Sequence, residues 1–133
     1  MPVYIETLTQ PSAQDLQDLT DLYQEQATTL LQPFTSVKQL LEQALQQQQL
    51  RVCRFNGRLL GAGIVQQQAQ RWLVSHLCVR QLTWRRGVAK RLLEVLQQQS
   101  EQQAVKLVFI VPKDEQIMRN YALRHQLDIL END

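Results

Sequence analysis

Cysteine is scarce in this 133-residue sequence: only Cys53 and Cys78 occur, and no CxxC pair is present. That excludes a disulfide-stapled secreted framework and a cysteine-built zinc site, and it predicts two reduced, buried thiols and no bound metal. No apolar run approaches the roughly 20 residues a membrane-spanning helix needs, and no basic, apolar leader opens the sequence. The expected setting is therefore the cytoplasm, away from membranes. An excess of charge of one sign is missing too. Fourteen Lys and Arg against thirteen Asp and Glu leave a net +1, too little for the broad basic surface of a nucleic-acid binder. Neither GxxxxGK[ST] nor GxGxxG occurs, so a Walker A loop and a dinucleotide fingerprint are both ruled out.

What is present is a globular composition, 44% apolar and 20% charged, in a length suited to a single domain over residues 1–133. Glutamine is abundant, 24 residues, gathered at 46–49, 66–68, 97–99 and 102–103. These tracts interrupt the apolar pattern, which reads as solvated connectors where helices end or hairpins turn.

Val3–Leu8 alternates as a strand and stops at Gln10-Pro11. Ser12, three residues before Asp15, caps a helix carrying Leu16, Leu19, Leu22 and Tyr23. Ser36 and Gln39 repeat that spacing ahead of a second amphipathic helix with Val37, Leu40, Leu41, Ala44 and Leu45. Leu50–Phe55 and Arg58–Val65 are strands joined by Asn56-Gly57, a pair that tolerates positive φ and predicts a type I′ turn. Gly61 and Gly63 inside the second of these strands point to a bulge or a close backbone approach. Trp72–Val79 continues the meander. Val88, Ala89, Leu92, Val95 and Leu96 mark a helix, and Val105–Val111 an unbroken apolar strand closed by Pro112. Asp114 is a candidate cap for a last helix with Ile117, Met118, Tyr121 and Ala122; His125 would face its final carbonyls, and Leu127–Leu130 is a short closing strand. The order β-α-α-β-β-β-α-β-α-β implies an α/β (α+β) fold, a mixed sheet with helices on its faces.

The sharpest local feature joins the Trp72–Val79 strand to the helix after it. Five of the twelve residues from Arg80 to Arg91 are basic and none is acidic, although cations at a helix start oppose the dipole. A strand-loop-helix junction with glycine at the turn suits a bound phosphate, because the first helical amides lack internal acceptors. Gly87 lets the backbone come close, Ala89 is small, and Arg85, Arg86 and Lys90 can neutralise an anion.

The string from Leu77 to Leu93, L-x-V-R-x-x-x-x-R-R-G-V-A-K-x-L-L, resembles motif A of the GNAT acetyltransferases. More narrowly, the sequence resembles the PanZ/PanM family, GNAT-like maturation factors of aspartate 1-decarboxylase. The points of likeness are Ser12-Ala13-Gln14-Asp15 with Asp18-Leu19, Arg54-Phe55-Asn56 with Arg58-Leu59-Leu60, and Val79-Arg80 with Thr83 and Arg85-Arg86-Gly87-Val88. The resemblance implies the GNAT fold and acetyl-CoA (or CoA) as ligand. It implies that the backbone of Leu77, Cys78 and Val79 pairs with the pantetheine arm, and that the amides of Arg85, Arg86, Gly87, Val88 and Ala89 wrap the pyrophosphate. Two departures stand out: Trp84 holds a position where the motif has Arg or Gln, and Gln126-Leu127 stands where the family has Gly-Phe.

Two functions follow from the resemblance. An N-acetyltransferase moving acetyl to an amine of a small molecule or protein would need a base and an acid. The candidates are His76, beside the cleft strand but pointing away from Leu77 by alternation, and Tyr121, which aligns one position before the family's usual tyrosine and reads better as a core residue with a tethered hydroxyl. A sensor would instead carry acetyl-CoA to aspartate 1-decarboxylase and promote its self-cleavage. In that case Arg54 and Asn56 at the hairpin tip, together with Arg80, are the docking candidates.

Overall fold

The computed structural model describes residues 3–26, 31–80, 87–112 and 116–132. Its elements follow the expected order: β1 (Tyr4–Thr7), α1 (Ala13–Gln24), α2 (Val37–Gln46), β2 (Leu50–Phe55), β3 (Arg58–Gln67), β4 (Arg71–Val79), α3 (Val88–Gln102), β5 (Lys106–Pro112), α4 (Ile117–His125) and β6 (Asp128–Asn132). The six strands lie in sequence order in one sheet. Pairings from β1 to β4 are antiparallel, and β4–β5 and β5–β6 are parallel.

The sheet separates two cores. On one face Leu19, Leu22 and Tyr23 of α1 and Leu40, Leu41 and Ala44 of α2 cover Val52, Leu59, Ile64 and Cys78. On the other, Leu92, Leu93 and Leu96 of α3 and Met118, Tyr121 and Ala122 of α4 cover Val74, Leu77, Val79 and Phe109. Side chains of successive strand residues point to opposite faces, so each strand feeds both cores.

Local signals act largely as read. Ser12 and Asp15 form a reciprocal capping box, with Asp15 N donating to Ser12 Oγ at 3.0 Å and Ser12 N to Asp15 Oδ2 at 3.2 Å. At α2 the box is only half made. Ser36 Oγ accepts from Gln39 N, but the Gln39 carbonyl accepts from Thr35 N and Oγ1. Asn56 and Gly57 have φ of 50° and 76°, the two positive angles of a type I′ turn. Gln126, at the end of α4, takes the left-handed C-cap conformation at φ 56° without being glycine.

The glutamine tracts are not all connectors. Gln97–Gln99 and Gln102 continue α3 two turns beyond Leu96, and Gln66 and Gln67 belong to β3. Glutamine is a good helix former, so a polar tract can extend a helix once its apolar face has anchored it.

Gly61 and Gly63 answer to different needs. A Cβ on Gly61 would lie 2.9 Å from Val79 Cγ1 and 3.1 Å from the Cys78 carbonyl, whereas one on Gly63 would meet only ordinary contacts. We expect Gly61→Ala to cost about 1–3 kcal/mol by overpacking, read by urea denaturation, and Gly63→Ala to cost less. Equal costs would mean that the close approach at Gly61 is unimportant.

Candidate acetyl-CoA site

Two irregularities in β4 shape the site. The first is where its pairing ends. β4 pairs with β5 only through Arg71–Val74 against Lys106–Phe109, while β5 runs on to pair with β6 as far as Pro112. Beyond Val74 the β4–β5 ladder ends, and the β4 edge past that point, on the side away from β3, is the candidate wedge. The second is a bulge. Ser75 pairs with Ile64 and Cys78 with Ala62, which sets His76 and Leu77 against the single residue Gly63. His76 takes φ 54°, a conformation that costs a non-glycine residue about 1–3 kcal/mol. Its carbonyl accepts the Tyr23 hydroxyl at 2.7 Å, so α1 helps hold the bulge.

Leu77 and Val79 pack towards α3, and Cys78 towards α1. Gly61 and Ala62 of β3 flank Val79 and Cys78 on one side of the strand, and the wedge lies on the other. Neither cysteine is a nucleophile in waiting. Both are free, Cys53 is pushed up to about 12 by burial, and burial raises Cys78 further.

β4 leads through Arg80, whose N–H donates to the Leu60 carbonyl at 2.9 Å, towards α3. Arg85 and Arg86, expected to wrap a pyrophosphate, and Trp84 beside them lie outside the described residues. The helix start itself is defined. Gly87 is the N-cap at φ 79° in the left-handed region; among the described residues no side chain caps the helix, and its first turn holds no acidic residue. A Cβ at Gly87 would meet none of the described residues within 4 Å, so among them glycine is favoured by backbone angle and not by crowding. Val88 and Ala89 are buried and seat the helix on the core, while Lys90 is exposed. A helix begun this way presents first-turn amides without a partner in the helix, together with the positive end of its dipole.

From Lys90 a groove runs between α3 and α4. A cavity of about 200 Å³ is lined by Lys90, Leu93, Asn120, Tyr121 and Arg124. It adjoins a larger one of about 550 Å³ that reaches Gln97 and His125. Asn120 and Arg124 carried no signal in the sequence, because only the packing of α4 on α3 brings them to Lys90.

Tyr121 and His76 do not converge. The Tyr121 hydroxyl donates to Gln97 Oε1 at 2.6 Å, three turns into α3, and its ring stacks on His125 at 4.2 Å. Burial pushes the phenol up to about 12, helped by Glu94 and Glu101. This is the tethered core tyrosine that the sequence suggests, and His125 stacks on it instead of facing carbonyls. His76 lies on the opposite face of the sheet. Its Nε2 is 2.8 Å from the Gln32 carbonyl, which can only accept, so Nε2 carries the proton. Nδ1 then accepts from Ser75 Oγ, also at 2.8 Å. Burial lowers the His76 pKa, keeping the ring neutral near pH 7.

At the hairpin tip the docking candidate Arg54 is held in place by ion pairs. Arg54 does not display free donors: it makes a fork to Asp15 at 3.0 and 3.1 Å, reaches Glu6 at 2.9 Å and the Gly57 carbonyl at 3.2 Å. Beside it Asp18 accepts from Arg58 at 2.6 Å, from Leu59 N at 3.1 Å and from Gln14 at 3.0 Å. Arg58 holds the Asp18 carboxyl at about 2. The paired strings around residues 12–19 and 54–60 are thus two halves of one ion-pair network that fastens α1 to the β2–β3 hairpin. Arg54 sets the pose of the tip, and Asn56, in the turn itself, is exposed beside Gly57 and Arg58.

A mixed sheet parted after the middle of its fourth strand, with an uncapped helix start beyond the gap, defines a GNAT fold. The chain belongs to the PanZ family of GNAT acetyltransferase domains, whose family model matches residues 2–128. Solved structures of the same fold include a ribosomal-protein-alanine N-acetyltransferase from Brucella melitensis, 22% identical, with a TM-score of 0.69 over 96% of this chain and 91% of that one. A Thermoplasma acidophilum PaiA N-acetyltransferase in complex with coenzyme A is 13% identical, with a TM-score of 0.68 over 94% and 89%. A Mycobacterium tuberculosis protein in complex with CoA is 14% identical, with a TM-score of 0.67 over 92% and 70%. No curated protein matches the sequence significantly. Among the described residues, no helix is long and apolar enough to cross a membrane.

Proposed function

We propose that this chain binds acetyl-CoA in the wedge beside β4 and acts as an acetyl-CoA-dependent regulator that docks on aspartate 1-decarboxylase and promotes its self-cleavage. The observation that carries the reading is the parting of β4 from β5, followed directly by the uncapped, acid-free start of α3. The pantetheine arm lies along Leu77–Val79 as an added strand, completing the sheet where β5 leaves it. The amides at Gly87–Ala89, with Arg85 and Arg86, take the pyrophosphate, and the Lys90–Arg124 groove takes the nucleotide end. Two of the related folds are described as complexes with CoA, which supports the same ligand here.

The family membership and the fixed hairpin tip favour a regulator. A network that locks Arg54 and Arg58 to α1 presents Asn56 at little entropic cost on docking. Acetyl transfer to an amine is the second reading, favoured by the N-acetyltransferase folds above. Against it, His76 and Tyr121 lie on opposite faces of the sheet with their polar atoms already engaged, so they do not form an acid–base pair about one thioester.

Acetyl-CoA should raise the melting temperature and enable capture of the decarboxylase precursor, while a panel of amines should release no free thiol. Steady thiol release with any of those amines would replace the regulator with a transferase. No thermal shift would remove the ligand itself.

A further inference from the structure

On the α1–α2 face of the sheet, a cavity of about 210 Å³ opens between α2 and the β3–β4 ladder. The β4 bulge builds it: Ser75 and His76 are adjacent yet both line the cavity, which strict strand alternation would forbid. The His76 ring is held from three sides, by the Gln32 carbonyl, by the Ser75 hydroxyl and by the edge-on ring of Phe34 at 5.4 Å. With both ring nitrogens engaged, His76 is a fixed wall and not a free base.

The chemistry of the lining selects a ligand. Gln39, Gln43 and Gln66 supply amides, Phe34 supplies an aromatic surface, and no Lys, Arg, Asp or Glu is among the described residues that line it. Gln39 has its carbonyl committed to Thr35 and keeps an NH₂ to donate. Ser75 Oγ has spent its proton on His76 and keeps a lone pair to accept. An ion entering would find no opposite charge to offset its lost hydration. A group that donates and accepts from adjacent atoms while uncharged matches donor to acceptor and acceptor to donor, and a carboxamide is such a group. The volume lies below the roughly 300 Å³ at which drug-sized sites begin, so the guest is small.

We propose that this cavity binds a small uncharged ligand bearing a carboxamide. The proposal does not rest on the acetyl-CoA reading, since the cavity lies on the opposite face from α3.

The test is NMR titration of the full-length protein with nicotinamide, with nicotinate as the charged isostere. Nicotinamide should saturate with a dissociation constant on the order of millimolar, as its size allows, and shift the His76 ring signals. Nicotinate should bind at least about tenfold more weakly. Gln66→Leu and Phe34→Leu, neither of them deeply buried, should each weaken nicotinamide by about fivefold or more while leaving the spectrum of the fold intact. Equal affinity for the two probes, no saturation, unaltered binding in both variants, or shifts centred on Gly87–Lys90 would each overturn the proposal.

Discussion

Gly87→Val should lower the affinity for acetyl-CoA by about a hundredfold or more, measured by calorimetry, while Gly87→Asn should stay within a few fold of wild type. Gly87 holds φ 79°, which a β-branched residue strongly resists and asparagine tolerates. Valine therefore rotates the N-cap and turns the first amides of α3 away from where a diphosphate would sit. Each hydrogen bond to a charged group contributes about 1.5–3 kcal/mol, so losing two removes two orders of magnitude or more. Because no described residue lies within 4 Å of the added Cβ, the variant acts on the backbone angle and clashes with none of them. If the valine variant bound as tightly as wild type, the pyrophosphate site would have to lie elsewhere.

Asp18→Ala should destabilise the protein by about 2–3 kcal/mol, visible as a melting temperature lower by roughly 6–12 °C. The larger part comes from the Leu59 N–H. Leu59 is fully buried, and the Asp18 carboxylate, 1% exposed, accepts that hydrogen. Arg58, half exposed, returns to water at smaller cost. Asp18→Asn keeps a carbonyl for Leu59 and should cost less.

The pH dependence separates charge from packing. The folded Asp18 carboxyl titrates at about 2, below its ordinary 3.8. Its charge therefore stabilises the fold above about pH 4, and that stabilisation disappears as pH falls through the window from 3.8 to 2. The gap between wild type and Asp18→Asn in urea denaturation should close over the same window. Asp15, also lowered, by Arg54, should behave alike in direction. A gap constant down to pH 2 would show that the carboxylate acts only through shape.

Much of this molecule is legible in its sequence alone. Ser12, Asn56-Gly57, Pro112 and the apolar periods act over a few residues, and their physics is complete within those residues. The acid-free start of α3 belongs to the same class, whereas Gly87 reads in the sequence as room for close approach and only the structure shows its left-handed angle. The Arg54 and Arg58 partners were not legible in that way, since Asp15 and Asp18 lie about forty positions away and read equally well as a cap and a solvated helix face. α3 runs past its apolar period to Gln102, because glutamine signals polarity, not chain conformation.

The amino-acid order by itself determined the succession of elements, the turn at Asn56-Gly57 and the glycine-led, acid-free start of α3, because each depends on local torsion and periodicity. Only the tertiary structure decided where β4 leaves β5, how the bulge turns His76 and Ser75 into one cavity, and which carboxylates hold the hairpin. Those outcomes arise when a six-stranded sheet must satisfy two cores at once, and pairing across the sheet depends on residues far apart in the chain.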